Sequence, residues 1–221
     1  MNQYDVSTAH RQESSVAVNK VLKNTYWLLA LTLAFSAFTA TLSMNASVQI
    51  SPLIFLVIAY GLLFATHKLA NSPWGLATTF AFTGFMGYAI GPLMGYLMSS
   101  QGGSEIVMTA LGGTAFIFFG LSGWALVSRK DFSFLSGFIA AGALVLIAAI
   151  VISLIWPMPA LQLAMSVGFM FFSSAVILFQ TGQIVNGGER NYILATITLY
   201  VSLYNIFMSL IHLLMAFSGD E

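Results

Sequence analysis

The segment 134–156 reads FLSGFIAAGALVLIAAIVISLIW and carries no charged side chain. A helix needs about 20 consecutive apolar residues to cross the hydrocarbon core of a bilayer, and this segment is long enough. The apolar runs of the chain are continuous and lack the period-two alternation of a membrane β-strand. The sequence therefore predicts an all-α membrane protein with seven transmembrane helices. The predicted spans are 25–44, 48–66, 74–98, 106–128, 134–156, 160–179 and 192–217.

The composition of the 221-residue chain supports a lipid-facing surface. Hydrophobic residues make up 58% of the positions and charged residues only 6%, whereas a soluble domain carries about 25% charged residues. The absence of cysteine from the sequence excludes disulfides, thiolate metal sites and cysteine nucleophiles. Because the net charge is zero and no basic run occurs, nothing indicates a nucleic-acid partner. No motif indicates a resident metal or another cofactor.

The basic residues predict the orientation of the chain. Cytoplasmic loops of membrane proteins are enriched in Lys and Arg. All basic residues fall on one side of the seven-span arrangement, which places the N-terminus in the cytoplasm and the C-terminus outside. Residues 1–24 lack the apolar stretch of a signal peptide and are predicted to form a disordered cytoplasmic tail, before a membrane domain at 25–217 and a short C-terminus at 218–221. The basic residues are Arg11, Lys20, Lys23, Lys68, Arg129, Lys130 and Arg190.

Glycines of the third span predict close helix packing. Three of them recur at every fourth position and so line one face, where a neighbouring backbone can approach. The adjacent proline predicts a kink, because it removes one helical hydrogen bond. A broken helix lining a solute path is the alternative, disfavoured because the groove holds no charged group. The residues are Gly84, Gly87, Gly91, Pro92 and Gly95, and the same packing role is predicted for Gly112, Gly113, Gly120, Gly123, Gly137 and Gly142.

Residues 120–123 read GLSG, the GxSG form found around the nucleophile of rhomboid intramembrane proteases. A serine nucleophile needs a base within hydrogen-bond reach. At a rise of about 1.5 Å per residue, Ser122 and His212 differ in depth by roughly 20 Å. The pair is too far apart for direct proton transfer, so a protease is disfavoured.

The seventh span is the most polar of the seven. It contains Thr196, Thr198, Ser202, Asn205 and His212, but no carboxylate. Ion pathways through a membrane usually use acids, bases or histidines inside the bundle. The polar residues therefore favour a helix enclosed by protein over a proton or cation relay.

The chain resembles the Bax inhibitor-1 family of seven-span membrane proteins, and within it a bacterial branch. The matching segments cover nearly the whole chain in order, and LYVSLYNIF at 199–207 is the most specific of them. The other segments are 19–26, 31–36, 81–85, 87–92, 177–179 and 186–189.

The resemblance implies six helices around a central seventh. It also implies a calcium leak gated by two aspartates, but the matching positions are Gln180 and Ser202, while Asn205 keeps the family's asparagine. Since carboxylates supply most of the attraction for Ca²⁺, the leak is disfavoured, and these three residues remain candidates for a polar binding centre.

The resemblance further implies a partner, the ATP-driven membrane protease FtsH of the bacterial inner membrane. The bacterial branch regulates this protease and its members can themselves be substrates. The expected function is therefore that of a non-enzymatic modulator, acting as a slowly extracted client or a binding partner, with the tail 1–24 as the segment that the protease engages.

Overall fold

The computed structural model describes residues 3–46 and 50–218, with side chains from residue 16 onward. Over these residues the chain forms seven α-helices, each long and apolar enough to cross a membrane. The predicted number of membrane helices is thereby confirmed. The helices are α1 (Gln3–Ser43), α2 (Pro52–Leu69), α3 (Trp74–Ser99), α4 (Gly103–Ser128), α5 (Leu135–Ile155), α6 (Pro159–Val185) and α7 (Tyr192–Ser218).

The N-terminal segment differs from the prediction. A disordered leader was expected up to residue 24, but α1 begins at Gln3 and runs without a break into the membrane segment, whose apolar part starts at Val16. Residues 1–44 contain neither glycine nor proline, so nothing in this stretch ends a helix. The predicted start of the second span falls on residues 47–49, outside the described part, and α2 begins at Pro52, whose fixed φ suits the first turn of a helix.

Helix α7 is the most buried of the seven described helices. In its most apolar stretch, 56% of the residues are buried, against 6% in α2 and in α5. Helix α7 packs against α1, α3, α4 and α6, while α5 packs on α6 and α2 packs mainly on α3. The buried cluster along α7 includes Leu199, Tyr200 and Ile206, which meet Ile177 and Ile184 of α6.

Helices α1 and α3 approach each other most closely at the glycines of α3. A Cβ added to Gly87 would collide with the carbonyl oxygen of Ser36, and one added to Gly91 would collide with the side chain of Ser43. A Cβ on Gly95 would likewise collide with the carbonyl oxygen of Met44. The backbone of α1 therefore lies directly in the groove that these glycines leave open.

Proline 92 lies inside α3 without ending the helix. A proline has no N–H, so the carbonyl oxygen four residues earlier, that of Tyr88, loses its helical partner. The hydroxyl of Ser43 on α1 donates to this oxygen at 2.7 Å. A serine of the neighbouring helix thus restores the missing hydrogen bond, as is common where proline occurs in membrane helices.

The packing prediction is wrong for four glycines of α4 and α5. A Cβ added to Gly112, Gly120, Gly123 or Gly137 would meet no atom of the described residues within 4 Å. Gly113 and Gly142 do face side chains, at 3.0 Å from Leu210 and 3.1 Å from Phe172. Most glycines of α4 and α5 therefore lie on faces that no neighbouring helix covers.

Candidate functional site

The two positions that match the family's aspartates lie inside the bundle. Gln180 on α6 is 7% exposed and Ser202 on α7 is 3% exposed. The hydroxyl of Ser202 donates to the carbonyl oxygen of Thr198 at 2.8 Å, within its own helix. The side-chain nitrogen of Gln180 is buried and has no hydrogen-bond partner within the described ranges.

Gln180 and Ser202 lie on neighbouring helices. Gln180 is five residues from the end of α6 and Ser202 is ten residues from the start of α7. No hydrogen bond joins the two side chains in the part of the chain that the structure describes. Neither side chain carries a charge, so the pair lacks the electrostatic attraction that a carboxylate pair has for a cation.

A buried tyrosine that sequence reasoning did not single out connects three helices. The hydroxyl of Tyr200 on α7 lies 2.7 Å from the hydroxyl of Ser36 on α1 and donates to the carbonyl oxygen of Thr83 on α3 at 3.2 Å. Tyr200 is 1% exposed. A buried tyrosine hydroxyl generally needs such partners. The position of Tyr200 in the most polar span is the sequence feature that could have indicated this role.

The GxSG serine is not arranged as a nucleophile. Ser122 on α4 is buried, and its hydroxyl lies 3.4 Å from that of Thr181 on α6. A threonine hydroxyl is no general base, and serine activation requires one. His212, the residue tested as a base above, lies elsewhere, in a cleft beside α6 and α7.

Asn205 lines this same cleft, which has a volume of about 670 Å³, whereas neither Gln180 nor Ser202 lines it. The cleft opens between α2, α6 and α7 toward the start of α6 and the end of α7. The polar side chains along it are Gln162, Ser166, Tyr204, Asn205, Ser209 and His212. Asn205 therefore belongs to the cleft, and its grouping with Gln180 and Ser202 into one polar centre stays a prediction.

Asn191, at the end of the α6–α7 connection, has a structural role that the sequence did not reveal. The Asn191 side chain accepts hydrogen bonds from the N–H groups of Ile193 and Leu194 and so caps α7. Its amide nitrogen donates to the carbonyl oxygen of Ala70 and the side chain of Asn71, 3.1 and 2.8 Å away. Asn191 thereby fixes the start of α7 against the α2–α3 connection.

The α4–α5 connection lies at the same end of the bundle. The hydroxyl and the backbone N–H of Ser133 both donate to Asp131 and lower the pKa of that carboxyl. The side-chain amide of Asn186 donates to the carbonyl oxygen of Lys130 at 3.1 Å. These bonds join the α4–α5 connection to the α6–α7 connection.

Seven apolar helices, a glycine-lined contact between α1 and α3 and a buried polar α7 define a multi-pass helical membrane protein. The chain belongs to the Bax inhibitor-1 family, since the family model described as inhibitor of apoptosis-promoting Bax1 matches residues 18–219. The resemblance seen in the sequence is confirmed.

Bacterial relatives match over the whole length of the chain. A protein of Escherichia coli strain K12 named modulator of FtsH protease YccA is 49% identical over 97% of this chain and 98% of its own length. The corresponding protein of a second Escherichia coli strain, named inner membrane protein YccA, matches equally. An uncharacterized protein of Pseudomonas aeruginosa is 50% identical over 99% of this chain and 98% of its own length. The chain is thus a close homologue of the FtsH modulator.

Proposed function

We propose that this protein modulates an FtsH-type protease in the bacterial inner membrane without being an enzyme itself. The observation that carries the proposal is the 49% identity, over nearly the full length of both chains, to the FtsH modulator of Escherichia coli. The placement of Ser122 beside Thr181 supports a non-catalytic role, since the hydroxyl lacks a base there.

The proposed topology has the N-terminus in the cytoplasm, the C-terminus in the periplasm and α7 at the centre of the other six helices. Two observations support it. The basic residues of the chain fall within its first 23 positions, in the last turn of α2, and in the connections α4–α5 and α6–α7, on one side of a seven-span bundle. The buried share of α7 exceeds that of every other helix.

The proposed mechanism is slow extraction. Residues 3–24 are continuous with the rest of α1, so a protease that pulls on this N-terminal segment must first separate α1 from α3. The backbone of α1 is in direct contact with α3 at Gly87 and Gly91. A hydrogen bond from Ser43 joins α1 to α3, and Tyr200 bonds to α1 from α7. Buried interhelical hydrogen bonds and close backbone packing are the forces that hold membrane helices together. A client that resists extraction would occupy the protease and delay the degradation of others.

The experiment that tests the proposal measures the half-life of another membrane substrate of FtsH in cells. The protein is overproduced, deleted or replaced by a variant lacking residues 2–24, and its amount in the membrane is quantified in each strain. We expect overproduction to lengthen the half-life and the truncated variant to have no effect at an equal amount. Equal half-lives in all three strains would refute the modulator function, and ion flux in liposomes would then be measured.

A further inference from the structure

The cleft beside α6 and α7 is lined by polar groups that the protein does not use internally. The side chains of Gln162, Asn205 and His212 make no hydrogen bond to any residue within 16–46 or 50–218, although all three line the cleft. Gln162 and His212 are exposed and lie near the ends of their helices, whereas Asn205 lies at the middle of α7. A polar group at membrane depth is costly when it is left without a partner, so Asn205 in particular favours a polar occupant of the cleft.

The polar residues follow helical spacing on both walls. On α7, Asn205, Ser209 and His212 stand at i, i+4 and i+7, and therefore on one face of the helix. On α6, Gln162 and Ser166 stand at i and i+4. Both walls thus present a polar stripe that runs along the helix axes, which suits an occupant that is itself elongated along the bundle.

The depth of Asn205 excludes a lipid head group as its partner. Asn205 is thirteen residues from Tyr192 and thirteen from Ser218, and so lies at the middle of α7, about 20 Å from either end. The polar heads of lipids stay outside a hydrocarbon core that is about 30 Å thick. A side chain of a membrane-spanning helix reaches Asn205 at this depth, whereas a lipid head group does not.

The lining also defines the chemistry of the occupant. The polar side chains are neutral amides, hydroxyls and an imidazole, and among the described residues no Asp, Glu, Lys or Arg lines the cleft. Met165, Met208 and Met215 supply adaptable apolar contacts, as methionines do on surfaces that accept varied partners. This combination suits an uncharged helix with an apolar surface and an occasional amide or hydroxyl.

We propose that the cleft is a docking groove for a transmembrane helix of a partner protein, one that carries an uncharged hydrogen-bonding residue near its centre. The central Asn, Gln, Ser or Thr of that helix pairs with Asn205, while its apolar side chains pack on the methionines. The cellular role of the groove rests on the proposed function, because it offers the modulator a surface for a membrane-embedded protease or client. The binding itself does not depend on it.

The test uses the full-length protein in vesicles of phosphatidylethanolamine and phosphatidylglycerol, without any protease. Because the sequence has no cysteine, the exchange of exposed Gln101 for cysteine provides a single site for a fluorescent acceptor. The probes are two labelled transmembrane peptides, one of leucine and alanine only and one with a central asparagine. We expect energy transfer to show about 3- to 30-fold tighter association of the asparagine peptide, the range for interhelical hydrogen bonds.

The variants locate the binding. Asn205→Leu and His212→Leu should each reduce the preference for the asparagine peptide, the first more strongly, because Asn205 lies at the depth of the peptide's asparagine. His67→Leu changes an exposed histidine outside the cleft and should leave the preference unchanged. Circular dichroism and gel filtration confirm that each variant is folded.

Equal energy transfer for both peptides would show that the cleft holds only lipid or water and would overturn the proposal. A preference that survives Asn205→Leu in a folded protein would also overturn it, since the peptide would then bind elsewhere. The peptide experiment tests only the docking groove, and the half-life experiment tests only the modulator function. Each proposal can therefore be refuted without the other.

Discussion

The glycines of α3 and those of α4 look alike in the sequence but have opposite surroundings. Gly87 and Gly91 of α3 receive the backbone of α1, where not even a Cβ would fit. Gly112 and Gly120 of α4 face open space, on the same side as Phe116, which is 81% exposed. Glycine in a membrane helix therefore indicates close packing only when the rest of its face is also small.

The largest expected effect in this comparison comes from filling the α3 groove. Gly91→Val should lower the free energy of unfolding by about 3 kcal/mol or more, because the side chain collides with Ser43 and with the carbonyl oxygen of Ala40, which would lie 2.6 Å from the added Cβ. The measurement is unfolding by denaturant in detergent micelles. The matched control is Gly112→Val, whose side chain enters open space and should change the free energy by less than about 0.5 kcal/mol. Equal losses in both variants would contradict the close approach of α1 and α3.

The second effect concerns the tyrosine that joins the same two helices from α7. Tyr200→Phe removes the hydroxyl that bonds to Ser36 and Thr83, and it leaves the partly buried Ser36 hydroxyl and the carbonyl oxygen of Thr83 without this partner. We expect a loss of about 1–3 kcal/mol in the free energy of unfolding, the cost of an unsatisfied buried polar group. The control is Tyr96→Phe, since Tyr96 is exposed near the end of α3. A loss no greater than that of the control would show that the network does not hold α1 against α3.

A smaller effect is expected at the proline of α3. Ser43→Ala removes the hydroxyl that donates to the carbonyl oxygen of Tyr88, and the loss should be about 0.5–1.5 kcal/mol, the net value of one hydrogen bond. The exposed Ser99 bonds only to the preceding turn of its own helix, so Ser99→Ala serves as the control with little change. The prediction fails if the two serine variants unfold at the same denaturant concentration.

The sequence was sufficient to predict the seven helices, because each apolar run has the length that a bilayer requires. It was not sufficient for residues 1–24, because their polarity favours disorder whereas the absence of glycine and proline before residue 44 favours a continuous helix. The sequence does contain a signal that separates the exposed glycines of α4 from the groove of α3. Phe116 stands between Gly112 and Gly120 on their helix face, whereas Gly87, Gly91 and Gly95 follow one another at every fourth position, so no large residue interrupts their face.

The candidate site was less accessible to sequence reasoning. Burial of Gln180 and Ser202 follows from their place in the polar helices, but the lack of a hydrogen bond between their side chains depends on how α6 and α7 pack. The position of Asn205 in a cleft depends on a gap between α2, α6 and α7, which no local sequence pattern predicts. Tyr200 illustrates the same limit, because its partners come from α1 and α3, 164 and 117 residues away in the chain.

The smallest expected effect is a gain in the free energy of unfolding, at an exposed glycine of α4. Gly120→Ala places a methyl group in open space on an exposed helix face, and alanine restricts the unfolded chain more than glycine does. The variant should therefore be more stable by about 0.4–1 kcal/mol. The same substitution in α3, Gly91→Ala, should destabilise the protein, because the new Cβ collides with the side chain of Ser43. Unfolding in detergent should therefore show a higher free energy of unfolding for Gly120→Ala and a lower one for Gly91→Ala. A loss of stability in Gly120→Ala would mean that a neighbouring helix covers this face of α4 in the membrane, and the contrast between the two sets of glycines would disappear.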